Sequence, residues 1–246
     1  MKAKISIAGL VLAACGASPA FAQDNWNGPY IGVYTNAVSS EAGFEDFGCW
    51  AACTKVTLQR TSLIGGVTAG FDAQIADDFV VGVLGDIGTG TKSDLVSGAG
   101  LPTSTTGSTT FHSEVSHMGS IRARAGVNHG KALMYVTGGI GFEKASRNVF
   151  VRGAAVWDPT HSSNYEADWV GSATGMTFGA GVEYKFSHFS AKAEILSTRF
   201  NTVSACYANS DGANRGVCWT SPYLIPPQLN VTSNQTSIRL GLNYRF

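Results

Sequence analysis

Hydrophobic and polar positions alternate in eight separate stretches of this chain, at residues 30–38, 64–73, 79–87, 116–127, 132–142, 174–184, 189–199 and 236–246. A period of two places the apolar residues of each stretch on one face and its polar residues on the other. This predicts β-strands, because helical apolar positions recur every three to four residues. The last stretch alternates without a slip: Ile238, Leu240, Leu242, Tyr244 and Phe246 share one face, and Ser237, Arg239, Gly241, Asn243 and Arg245 share the other. Around residue 180, Phe178, Ala180, Val182 and Tyr184 likewise oppose Gly179, Gly181 and Glu183. Most stretches approach the roughly 9–11 residues that a tilted strand needs to cross a bilayer.

The connections alternate in length. Residues 74–78, 128–131 and 185–188 make short turns, whereas 39–63, 88–115, 143–173 and 201–235 are long and polar or rich in Gly, Ser and Thr. In an up-and-down arrangement every long connection falls at the same end. The expected fold is therefore all-β, a single eight-stranded antiparallel up-and-down transmembrane β-barrel with short periplasmic turns and long external loops. An even strand count returns both chain ends to the short-turn side.

Charge sharpens this expectation, because a basic side chain facing lipid at mid-bilayer costs about 2–4 kcal/mol. Arg122 and Arg124 oppose Ile121, Ala123, Ala125 and Val127, and Lys192 and Glu194 oppose Phe189, Ala191, Ala193 and Ile195. With Asp72, Asp86, Glu183 and Arg239 they form a predicted lumen charge cluster of both signs. Eight strands enclose only enough space for side chains. The cluster is thus expected to be a paired plug, since an unpaired buried charge is strongly unfavourable. A narrow small-solute channel through it is the alternative reading. Phe71 and Phe79 flank the first short turn and Tyr184, Phe186 and Phe189 the third; with Tyr244, Phe246, Trp26 and Tyr30 they are expected in an interfacial aromatic girdle. Alternation defines two faces without saying which is wet, so a soluble barrel with an apolar interior is the geometric competitor.

Residues 1–22 have the form of an export signal: Lys2 and Lys4, a short apolar run, and Ala20-Phe21-Ala22 before Gln23. Residues 23–246 form the barrel domain. Leu12-Ala13-Ala14-Cys15-Gly16 offers a second route, lipidation at Cys15, and both leave the cytoplasm. Cleavage removes two lysines and no acid, taking the formal charge from 0 to −2. No basic patch suggests a nucleic-acid partner. Cys49 with Cys53 and Cys206 with Cys218 are disulfide candidates as local pairs, one of three connectivities that four cysteines permit. A metal site at Cys49 and Cys53 is the competing reading, with no histidine close in sequence to complete it. No cofactor is expected.

Several segments carry a family resemblance: Trp26-Asn27-Gly28-Pro29-Tyr30-Ile31-Gly32, Gly66-Val67-Thr68-Ala69-Gly70-Phe71, Gly82-Val83-Leu84-Gly85-Asp86-Ile87-Gly88, Arg122-Ala123-Arg124-Ala125-Gly126, Tyr135-Val136-Thr137-Gly138-Gly139, Gly179-Ala180-Gly181-Val182-Glu183-Tyr184, and Arg239 to Phe246. In this order they resemble the small porin-family, or opacity-type, eight-stranded outer-membrane barrels of Gram-negative bacteria. The resemblance implies a cell outer-membrane protein surrounded by lipid and lipopolysaccharide. It also implies insertion by the barrel-assembly machinery, with Tyr244 and Phe246 as the assembly signal. It carries no catalytic residues, and it implies a structural or surface role, with loop contacts to a host or surface ligand. The long loops and the cysteine pairs depart from the family pattern, and no peptidoglycan-binding domain is expected after the barrel. His161-Ser162-Ser163-Asn164 resembles the His-x-Ser-Asn segment of barrel-type lipid A deacylases, but it falls in a predicted loop without a set acid partner. His112-Ser113-Glu114 is a weaker segment of the same kind.

Overall fold

The computed structural model describes residues 25–46, 55–90, 97–99, 108–152, 165–209 and 228–246. Strands are β1 (Gly28–Asp46), β2 (Lys55–Ala76), β3 (Phe79–Gly90), β4 (Ser97–Ala99), β5 (Ser108–His129), β6 (Ala132–Arg152), β7 (Tyr165–Phe186), β8 (Phe189–Phe200), β9 (Val203–Asn209) and β10 (Gln228–Arg245). Every pairing is antiparallel, in the order β1-β2-β3-β5-β6-β7-β8-β10, and β10 pairs back onto β1. β9 resumes the line of β8 after Asn201 and Thr202, since both pair with β7 and β10. Counting β8 and β9 as one staff gives a closed ring of eight, and the three-residue β4 lies against β5. Around the lower belt closure leaves no unpaired edge among the described residues, whereas above it the described pairings bond residues 55–63 of β2 to β1 alone.

The short connections are two-residue turns at Asp77-Asp78, Gly130-Lys131 and Ser187-His188. Gly130 and Ser187 take φ of 59° and 57° at the lead position, where a tight hairpin demands a positive angle. Neighbouring turns are tied together by backbone bonds from Asn128 N to Asp78 O (2.8 Å), Lys185 N to Lys131 O (2.8 Å) and Arg245 N to His188 O (2.7 Å).

Apolar residues face outward around a belt. Ile31, Val33, Val67, Val83, Val136, Ile195, Ile238 and Leu240 are exposed, and Ile121 is 68% exposed, whereas the charges between them are buried. This excludes the soluble barrel with an apolar interior. At the turn end Phe71, Phe79, Tyr184, Phe186, Phe189, Tyr244 and Phe246 are exposed as a girdle requires. Ring contacts link Phe186 to Phe189, Phe189 to Tyr244 and Tyr244 to Phe246 at 6.2, 5.4 and 5.1 Å. Trp26 and Tyr30 do not belong to this girdle: they are 0% and 1% exposed, inside the barrel. Tyr30 shares the inward parity of Tyr34 and Asn36, and Trp26 folds beneath the ring.

The expected long loops are corrected as well. β1 runs on to Asp46, β2 begins at Lys55, β5 at Ser108 and β7 at Tyr165, while β6 continues to Arg152, so much of 39–63, 88–115, 143–173 and 201–235 is sheet. Above the belt the alternation persists with its sense reversed. Glu41, Glu45, Thr57, Gln59, Lys144, Asp168 and Asn234 point outward and are exposed. Phe44, Leu58, Phe111, Val149, Ala167, Leu229 and Val231 point inward as an apolar core. The polar composition that reads as loop is the wet face of a strand standing above the lipid.

Candidate functional site

The lumen is built in layers from the turn end. At the floor, Trp26 packs with Val80, Leu133 and Tyr135. It is held there by neighbours from four elements. Trp26 N donates to Gln74 Oε1 (3.1 Å) and its Nε1 to Gly130 O (3.4 Å). Lys185 Nζ donates to Asn25 O (2.8 Å), and Gln74 N donates to Asn27 Oδ1 (2.6 Å). The Arg245 guanidinium lies 4.6 Å from the Trp26 ring centroid.

Above this floor Arg124 and Arg245 are interleaved with Asp72 and Glu183. Arg124 forks onto Asp72 and reaches Glu183 Oε2 through Nη1 at 2.7 Å. Arg245 Nη2 bridges Asp72 Oδ2 (2.7 Å) and Glu183 Oε1 (3.1 Å). Asn243 Nδ2 and Ser190 Oγ donate to Glu183 Oε1 as well. The Tyr30 and Tyr135 rings flank Arg124 at 5.0 and 4.9 Å. Two cations and two carboxylates are thus closed on one another, the condition under which buried charge is tolerated.

The next layer holds Asp86 and Glu194 among Arg122, Lys192 and Arg239. Arg122 Nη2 lies 3.1 Å from Asp86 Oδ2 and 3.4 Å from Glu194 Oε2, and Arg122 Nε donates to Ser120 Oγ at 2.9 Å. Ser120 Oγ in turn donates to Asp86 Oδ2 (2.6 Å). Arg239 meets Asp86 at 3.0 and 3.2 Å and lies 4.0 Å from the Tyr34 ring centroid. Tyr135 Oη donates to Glu194 Oε1 (2.9 Å), and Lys192 Nζ lies 3.7 Å from Glu194 Oε2.

Higher still come Val38, Ile64 and Met118 with Val115. A buried pair, Glu143 with Arg147, follows; Gln235 Nε2 donates to Glu143 Oε2 (2.8 Å), and Arg147 lies 5.4 Å from the Trp169 ring. The ceiling is the apolar core around Phe44 and Phe111, whose ring centroids are 5.2 Å apart.

All eight predicted interior charges therefore meet in two adjoining layers. Sequence reasoning left Arg245 out of the cluster, although alternation with Arg239 already put it on the polar face. It missed Glu143 and Arg147 because their segment read as loop. Among the described residues, no group of three or more His, Cys, Asp or Glu side chains is placed to hold a metal. The signal at 1–22, the lipidation candidate Cys15, Cys49, Cys53, Cys218 and the segment His161 to Asn164 lie outside the described residues, as does the Cys206 side chain. His112-Ser113-Glu114 forms part of β5, opposite Asn148, Arg147 and Ser146 of β6.

Residues 8–246 match the family model described as Outer membrane protein beta-barrel domain. Among solved structures the chain is similar to Ail, the attachment invasion locus protein of Yersinia pestis, with 13% identity over 89% of this chain and 99% of that one and a TM-score of 0.38. The outer membrane protease OmpT from Escherichia coli is similar at 9% identity over 93% and 99%, with a TM-score of 0.45. OprG from Pseudomonas aeruginosa is similar at 10% identity over 91% and 98%, with a TM-score of 0.40. No curated protein matches the sequence.

Proposed function

The chain belongs to the outer membrane protein β-barrel family and is a barrel of the cell outer membrane, and from that premise we propose that it is a sealed structural barrel that raises a sheet-built platform and its loops above the bilayer. The observation carrying this reading is the filled lumen. Trp26 closes the periplasmic floor, two ionic layers occupy the middle, and the apolar core around Phe44 and Phe111 closes the external mouth. A hydrated ion would have to separate paired buried charges and then cross a layer with no polar partner, and both steps are strongly unfavourable.

The same layers speak against the channel reading and give no support to a lipid-modifying enzyme. Asp72, Asp86, Glu183 and Glu194 are each engaged by a guanidinium, which leaves none of them placed as a general base. Outer-membrane lipid surrounds the belt, and lipopolysaccharide is its neighbour on the external side. The polar outer face above the belt presents Gln59, Asn234 and Thr236 to that surrounding, and the loops beyond it are where a host or surface ligand would be met. Disulfides within Cys49/Cys53 and Cys206/Cys218 would clip the connections from β1 to β2 and from β9 to β10. Efflux of a trapped small sugar from proteoliposomes tests the sealed barrel. Retention equal to empty vesicles is expected, and efflux proportional to the amount of folded protein overturns the reading.

A further inference from the structure

Buried charge in the lumen does not balance. Among the described residues six buried cations, Arg122, Arg124, Arg147, Lys192, Arg239 and Arg245, stand against five buried carboxylates, Asp72, Asp86, Glu143, Glu183 and Glu194. Glu143 is matched by Arg147, and Asp72 with Glu183 by Arg124 with Arg245. The excess therefore sits in the middle layer, where Arg122, Arg239 and Lys192 share Asp86 and Glu194. Lys192 Nζ and Arg239 Nε have no hydrogen-bond partner there. An uncompensated buried ion is strongly unfavourable.

Beside this layer lies a cavity of about 30 Å³, walled by Arg239 and by the polar side chains of Asn36, Ser120, Ser237, Thr177 and Thr198. That volume holds one water-sized particle. Asn36 is 2% exposed and its Oδ1 is without a partner. An amide assigned the other way round offers Nδ2 at that position, a choice that only the hydrogen-bond network can settle. Asp86 also lines the cavity, but both its oxygens are engaged, Oδ1 by Arg239 and Oδ2 by Ser120 and Arg122.

We propose that this cavity binds one monatomic anion, chloride or bromide, against the Arg239 guanidinium, with the Asn36 amide and the hydroxyls of Ser237 and Thr198 as further donors, the Thr198 hydroxyl accepting from Thr177 Oγ1 at 2.9 Å. One negative charge there brings the middle layer, and with it the buried lumen, to neutrality. The competing account is a neutral Lys192, which needs no anion.

Two measurements on the refolded full barrel decide between them. Crystals grown in bromide are expected to show one anomalous peak within hydrogen-bond distance of Arg239. The melting midpoint in detergent is expected to rise saturably by a few degrees from gluconate to chloride at matched ionic strength, as for any ligand bound only by the folded state. Lys192→Met removes the surplus cation and is expected to abolish that dependence; if the variant does not fold, the wild-type crystals and melting curves carry the result. No peak beside Arg239, or equal melting in chloride and gluconate, overturns the proposal. A peak without saturable stabilisation means an adventitious ion only, and overturns it equally.

Discussion

Arg124 touches Asp72 of β2 and Glu183 of β7, and lies between the rings of Tyr30 and Tyr135, so one side chain ties four staves of the ring. Replacing it with Met leaves two buried carboxylates to share one cation, Arg245. A loss of about 3–5 kcal/mol is expected, the cost of breaking a buried pair from one side, read from urea unfolding in vesicles. A loss near zero would mean that the carboxylates find other partners. Trp26→Ala removes the floor and is expected to cost about 3–5 kcal/mol by the same assay, as for other fully buried aromatic side chains. The interior charges were legible because parity and the cost of charge in lipid give the same answer. Trp26 and Tyr30 were misread for a physical reason. Aromatics near a turn suit a girdle, but a polar lumen also uses rings as flat surfaces for guanidinium groups, here Arg124 of β5 and Arg245 of β10, both far from Trp26 and Tyr30 along the chain.

Strand β1 shows why the length of the long strands was underread. In β1 the outward positions pass from Ile31 and Val33 through Ala37 and Ser39 to Glu41 and Glu45, while the inward ones pass from Tyr34 and Asn36 to Val38, Ala42 and Phe44. Along β1 the period never breaks; only the polarity of its two faces changes over, and at the crossover the contrast vanishes, whereas in β5 a register shift between Val115 and His117 also slips the alternation by one residue. Amide hydrogen exchange in vesicles separates strand from loop in this region. Residues 41–45, 145–149 and 229–233 are expected to be protected like the belt, and exchange at free-loop rates would remove the upper sheet. The belt itself is tested by charge. Ile121→Arg is expected to destabilise the barrel by about 2–4 kcal/mol in vesicles, and Ser39→Arg by no more than about 1 kcal/mol, as expected near an interface. Equal effects would mean that the outward face of β1 is still in lipid at Ser39.

The whole barrel rests on the seam between its first and last strands. β1 and β10 pair from Tyr30 with Arg245 up to Asp46 with Leu229, and Phe246 N donates to Pro29 O at 3.2 Å. The sequence pattern made ring closure legible through strand parity and turn lengths. The split of the last-but-one staff into β8 and β9, and the floor built from residues before β1, depend on contacts far apart in the chain and carry no periodic signal. As the proposed assembly signal, Phe246 is expected to matter more for insertion than for the folded barrel, and its deletion is to be read from insertion yield against unfolding in vesicles. Equal losses in both would make it a packing residue alone. The central claim concerns the space the staves enclose, which is blocked by side chains at floor, middle and mouth, with a cavity of about 30 Å³ beside the middle layer. Single-channel recording in planar bilayers, with protein whose gel mobility shifts on heating, tests it most directly. The filled lumen requires a baseline without conductance steps, and discrete, reproducible steps from the wild-type barrel would contradict it.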